Sequence, residues 1–120
     1  MATPVTIYGI PNCDTMKKAR AWLAANGIDY AFHDYKTAGL DRKQLEGWAD
    51  AVGWETLLNR AGTTFRKLGD ADKDGIDRRK AIRLMLAQPS LVKRPMLDRK
   101  GKLIVGFTPD RYAEFFASRR

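Results

Sequence analysis

The residue in this chain best suited to redox chemistry is Cys13, the only cysteine among 120 residues. It follows the turn-forming Gly9-Ile-Pro-Asn12 and precedes Asp14-Thr-Met-Lys-Lys-Ala19, a stretch of helical type. A thiol at that junction faces unpaired N–H groups and the positive end of a helix dipole. Both favour the thiolate and lower its pKa. Lys17 and Lys18, one turn on, add positive charge. A lone cysteine in an apolar run usually serves as a small buried hydrophobe. Here Asn12 and Asp14 flank it in a turn, and that setting favours the reactive reading. One cysteine also excludes an internal disulfide and a cysteine-based zinc site. Thiol–disulfide chemistry must then take its second sulfur from another molecule.

The elements that must position this thiol can be read from periodicity. Val5 to Tyr8 is a near-continuous apolar run, which predicts a strand buried on both faces. Asp14 to about Asn26 reads as a helix with Met16, Ala19, Leu23 and Trp22 near one face, ended by Gly27. Ile28 to Tyr35 alternates as a second strand, so a right-handed βαβ unit with parallel strands is expected. A helical middle follows. Asp41 caps a helix to about Val52, Trp54–Arg60 and Phe65–Leu68 form shorter pieces, and Asp77 caps a helix to about Leu86. In that last helix Ile82, Met85 and Leu86 point inward and Arg78, Arg79 and Arg83 outward, a solvated basic face. Met96-Leu97 and Lys102–Phe107 flank the hairpin turn Asp98-Arg-Lys-Gly101. Thr108 then caps a final helix that buries Tyr112, Phe115 and Phe116.

Composition describes an ordinary globular domain, 44% hydrophobic and 30% charged, long enough for a hydrophobic core of its own. No apolar run approaches a bilayer span and the N-terminus lacks a signal-peptide layout, so the expected location is cytoplasmic, with no membrane partner. The net charge of +8 suits an acidic partner, whether nucleic acid, an acidic protein surface or a small anionic thiol. Direct nucleic-acid binding finds support in the charge alone, without an aromatic platform or a helix-turn-helix pattern. Asp70-Ala-Asp-Lys-Asp-Gly75 imitates half of a calcium loop, but Ala81 stands at the position of the closing glutamate. No metal is expected, nor any tightly bound cofactor. His33 lies in mid-strand and is read as structural, although a Cys13–His33 pair is conceivable.

A βαβ…ββα order, a cysteine at the first strand–helix junction and an X-Pro step before the third strand resemble the thioredoxin fold. Ile7-Tyr-Gly-Ile-Pro-Asn-Cys13 and Lys93-Arg-Pro-Met96, separated by a helical insertion, resemble the arsenate reductase (ArsC)/Spx superfamily. Within it, Gly9 to Ala19, His33-Asp-Tyr35, Gly53-Trp54 and Gly62-Thr-Thr64 are most similar to the YffB proteins. The resemblance implies an α/β, thioredoxin-like fold with a four-stranded mixed sheet in one bacterial domain spanning 1–120. Its core would cover about 1–38 and 89–120, with a helical insertion at about 39–88.

The function that the resemblance implies is glutathione-dependent thiol chemistry, with glutathione as co-substrate. Cys13 would attack a disulfide or glutathionylated substrate, and a second thiol would release the mixed disulfide. Asn12, Lys17, Arg60, Arg94 and Pro95 would bind substrate or glutathione, with Lys17 also lowering the thiol pKa and the two arginines pairing with glutathione carboxylates. Pro95, if cis, would expose backbone beside the thiol for a β-like contact with an extended peptide. Two alternatives stand. One is an Spx-like regulator that binds the RNA polymerase α subunit; many of these carry a Cys-x-x-Cys pair, and Met16 stands at its second position here. The other is arsenate reduction, which is disfavoured. Asn59 and Gly106 stand where that pattern expects arginines, with Arg60 displaced by one place, and Gly9 replaces a histidine.

Overall fold

The computed structural model describes residues 5–117. In chain order the elements are β1 (Val5–Gly9), α1 (Asp14–Ala25), β2 (Ala31–Asp34), α2 (Tyr35–Ala38), α3 (Arg42–Val52), α4 (Trp54–Leu57), α5 (Thr63–Arg66), α6 (Asp70–Lys73), α7 (Arg78–Ala87), β3 (Met96–Arg99), β4 (Lys102–Val105) and α8 (Pro109–Ala117), with a 3-10 turn at Pro89–Leu91. The chain divides into two compact units. One joins the segment up to Asp34 with the segment from Arg94 onward, and the other is Tyr35–Lys93.

The first unit is built on a four-stranded sheet in the order β2-β1-β3-β4. β1 runs parallel to β2 and antiparallel to β3, and β3 and β4 form an antiparallel hairpin. This is the mixed, thioredoxin-like sheet. β1 buries one face rather than two: Val5 and Ile7 are enclosed, whereas Thr6 and Tyr8 stay half-buried. The core beneath it is Val5, Ile7, Met16, Ala19, Leu23, Leu97, Tyr112 and Phe116. These residues come from β1, one stripe of α1, β3 and α8, as helical and strand spacing require.

β2 is shorter than its alternating sequence suggests, and the end of α1 explains why. The N–H of Ile28 bonds back to the carbonyl of Leu23 at 2.9 Å, and that of Gly27 to Ala24 at 3.1 Å, with Gly27 at a φ of +68°. This six-to-one closure is the left-handed cap that glycine makes easily. It takes Ile28 out of the sheet. At the hairpin, the Asp98 carboxylate accepts from the N–H of Gly101 at 2.9 Å. Thr108 receives the N–H of Arg111 at 3.2 Å and so caps α8, in which Tyr112 and Phe116 are buried and Phe115 only half so.

The second unit packs α3 and α7. Asp41 accepts from the N–H of Gln44 at 2.7 Å, and Asp77 from that of Lys80 at 2.9 Å, so each helix begins on a side-chain cap. Leu45, Trp48 and Ala49 face inward from α3, with Ala81, Ile82, Leu84 and Met85 from α7. Leu84 rather than Leu86 completes that stripe. Arg78 is not simply solvated: it donates to the Asp50 carboxylate at 2.9 Å and links the two helices. The segment 57–59 pairs with 91–93 through Asn59 N–H to Leu91 at 2.8 Å and Lys93 N–H to Leu57 at 2.7 Å. The buried Tyr35 hydroxyl donates to the Val92 carbonyl at 2.9 Å. The calcium-loop imitation is partly helical, as α6. The ammonium of Lys80 donates to the carbonyls of Ala71 and Asp74 in that stretch.

Candidate active site

Cys13 occupies the N-cap position of α1 with extended backbone, directly after the turn that leaves β1. Its own carbonyl accepts the N–H of Lys17 at 3.0 Å, which starts the helix. The side chain is half-buried and packs at the margin of the core. The sulfur does not close a cap bond of the kind Asp41 and Asp77 make. It still lies in the field of the first-turn N–H groups, and the Arg94 side chain reaches it.

These surroundings act on the thiol in opposite senses. Partial burial pushes its pKa up. The N–H of Met16, the side chain of Arg94, the N–H of Thr15 and the Arg94 charge pull it down, and the downward pull wins. The result is a thiol held below its ordinary value, biased toward the nucleophilic thiolate.

Arg94 ends the connection from the helical unit and precedes β3; the Arg94–Pro95 peptide is cis. Pro95 is buried, and its carbonyl accepts from the N–H of Gly106 at 2.8 Å. A cation acting on the sulfur is Arg94, while the Lys17 side chain is exposed. This role of Arg94 at the sulfur is additional to the glutathione-carboxylate pairing that the sequence suggests. The two residues lie far apart in the chain, and only the β1–β3 pairing brings their segments together.

The other residues are placed as follows. Asn12 is exposed in the turn before the thiol. Arg60 belongs to the helical unit, where its guanidinium lies over the Trp54 ring at 5.7 Å. Asn59 folds its side-chain oxygen onto the N–H of Ala61 at 3.3 Å. His33 packs its ring against Tyr8, centroids 5.0 Å apart, in keeping with a structural role. Gly106, where an arginine was expected, has the guanidinium of Arg111 beside it, donating to the Val105 carbonyl at 2.8 Å. Among the described residues no cluster of His, Cys, Asp and Glu could hold a metal ion, and no helix is long and apolar enough to cross a membrane.

Residues 8–115 match the model of the ArsC family. The solved structure of a YffB protein is 57% identical, covers 92% of this chain and 96% of its own, and superposes with a TM-score of 0.89. An arsenate reductase (ArsC) related protein from Brucella melitensis is 62% identical over 93% of each chain, with a TM-score of 0.77. The global transcriptional regulator Spx of Streptococcus pyogenes is 30% identical over 94% of this chain and 85% of its own.

Proposed function

The chain belongs to the ArsC family, and within it we propose that this member is a glutathione-dependent monothiol reductase acting through Cys13. The observation that carries the reading is a single thiol at a helix N-terminus, held toward the thiolate by the Met16 N–H and Arg94, in a chain with no second cysteine to resolve it.

The reaction has two exchanges. Cys13 thiolate attacks the glutathione sulfur of a glutathionylated substrate. The Cys13–glutathione disulfide forms, the substrate's mixed disulfide breaks, and the substrate leaves as its thiolate. A glutathione thiolate then attacks the glutathione sulfur of that adduct. Oxidised glutathione departs and Cys13 leaves as the thiolate. Arg94 serves both steps in this reading. It stabilises Cys13 as nucleophile and as leaving group, and its fork of donors suits a glutathione carboxylate. Asn12 and Pro95 would border the bound tripeptide, and a glutathione-rich cytoplasm would supply it.

The test is intact mass after incubation with oxidised glutathione. One glutathionyl group per chain should appear on Cys13 and be removed by excess reduced glutathione. Covalent dimers alone, or no adduct, would rule glutathione out. The likeness to Spx supports a second reading, a transcriptional regulator that works by binding a protein such as RNA polymerase. A regulator would keep its partner in the Cys13→Ser variant, whereas the reductase would lose all turnover. Arsenate reduction has less support, because Asn59 offers no guanidinium and the one beside Gly106 is committed to a backbone carbonyl.

A further inference from the structure

The helical unit carries a concavity of about 630 Å³ lined by Arg42, Gly75, Asp77, Arg79, Lys80 and Arg83. Its only carboxylate, Asp77, is engaged in capping α7. The Lys80 ammonium donates to the carbonyls of Ala71 and Asp74, so Asp77 sets one negative charge against the four positive ones of Arg42, Arg79, Lys80 and Arg83. Arg42, Arg79 and Arg83 are exposed and have no ion pair or hydrogen-bonded side-chain partner among the described residues. Arg78 shows the contrast, since it faces α3 and finds Asp50.

This grouping works against itself. Arg79 and Arg83 stand four residues apart on one helix face, where like charges repel. Arg42 enters from the first turn of α3, a helix that the Arg78–Asp50 pair ties to α7. Arg79 lies in the first turn of α7, and since both helix N-termini are capped by aspartates, the arginine side chains carry the positive charge of the hollow.

We propose that this concavity binds a polyphosphate anion, the di- or triphosphate chain of a nucleotide or of inorganic polyphosphate. Guanidinium forks hold phosphoryl oxygens in paired bonds, and several forks around one hollow suit charge spread over several phosphoryl groups. The volume falls in the range of small-ligand sites, about 300–1,000 Å³. The lining includes no aromatic ring on which a base could stack, so the phosphate chain itself carries recognition. A duplex would instead want a basic stripe along its backbone.

The experiment titrates the full chain with inorganic triphosphate and with ATP, each at matched ionic strength, by calorimetry and amide chemical shifts. Saturable binding is expected, with shifts at Arg42 and residues 75–83. Arg79→Gln and Arg83→Gln should each weaken it about tenfold while the fold is kept. Cys13→Ser should leave it unchanged, which separates this site from the thiol chemistry. Equal affinities assign the phosphate chain alone, and tighter ATP assigns a nucleotide. The proposal is overturned by absence of saturation, by the same response to sodium chloride of matched ionic strength, by indifference to both substitutions, or by a short DNA duplex that displaces triphosphate at lower concentration.

Discussion

Met16 fills the space that any side chain at position 9 would need. A Cβ on Gly9 would stand 2.7 Å from the Met16 Cε and 3.2 Å from its Cγ, with the sulfur closer still. Met16 is fully enclosed, so its thioether cannot swing into solvent to make room. The glycine at position 9 and the methionine at position 16 are thus one packing solution beside the thiol. Gly9→Ala should cost about 1–3 kcal/mol by overpacking. The double variant Gly9→Ala/Met16→Ala should be less destabilised than the two singles summed, by about 1 kcal/mol or more. Denaturant unfolding of the four proteins measures this. Strict additivity would show that the two side chains do not compete for space.

What the sequence disclosed, and what it did not, divides along the range of the interactions. The caps at Asp41, Asp77 and Thr108 are made within three residues of the capping side chain, so the start of each helix could be read directly. The β1–β2 and β3–β4 neighbours followed from the βαβ unit and the hairpin, whereas the β1–β3 pairing that joins them is long-range. The length of β2 could not be read, because the apolar pattern does not say that the Ile28 N–H is spent on the preceding helix. At the thiol, the helix N-terminus was local and legible. The action of Arg94 on the thiol was not, since that depends on how β3 docks on β1. The basic hollow was visible as arginines on one helix. That Arg42 joins them from another helix required the fold.

The thiol should titrate early. With the Met16 and Thr15 N–H groups and Arg94 outweighing burial, the alkylation rate of Cys13 should have its midpoint below the free-thiol value of about 8.5. Stability should follow the same linkage. A thiol depressed in the folded state adds stability above its unfolded pKa, and loses it as pH falls through the folded value. The melting temperature of the reduced protein, relative to Cys13→Ser, should therefore rise across that window and level off near pH 9. A difference that is flat or falls with pH would contradict the assignment.

Arg94 should matter for chemistry more than for folding. Arg94→Ala removes both the fork and the charge from the sulfur, and the rate of glutathionylation should fall roughly ten- to a hundredfold at neutral pH, in line with about 1.5–3 kcal/mol for a charge-assisted bond. Lysine keeps a charge without the planar fork, so Arg94→Lys should lie between. The alkylation midpoint should move upward in the same order. If Arg94→Ala lowers the melting temperature but leaves the rate and midpoint of the folded protein untouched, the residue is a structural brace and nothing more.

Tyr112 is a buried group whose hydroxyl is left unsatisfied among the described residues. The side chain is fully enclosed in the core of the first unit, with edge-on ring contacts to Phe107 at 4.7 Å and Trp22 at 5.6 Å. Its hydroxyl has no hydrogen-bond partner among the described residues. Burial pushes its ionisation well above the ordinary tyrosine range, and the nearby Arg111 charge opposes this only in part. An enclosed donor without an acceptor carries a desolvation cost of about 1–3 kcal/mol, which phenylalanine avoids while keeping every ring contact. Tyr112→Phe should accordingly be as stable as the parent or more so, by about 1 kcal/mol. The linkage adds a pH signature. A group whose folded pKa is raised holds its contribution below the unfolded value and loses it as pH climbs toward the folded one. The parent should therefore lose stability above about pH 10, and Tyr112→Phe should lose less. Equilibrium unfolding at neutral pH and above pH 10 provides both comparisons. A Tyr112→Phe variant destabilised by about 1 kcal/mol would reveal an acceptor for the hydroxyl and refute the unsatisfied-donor account.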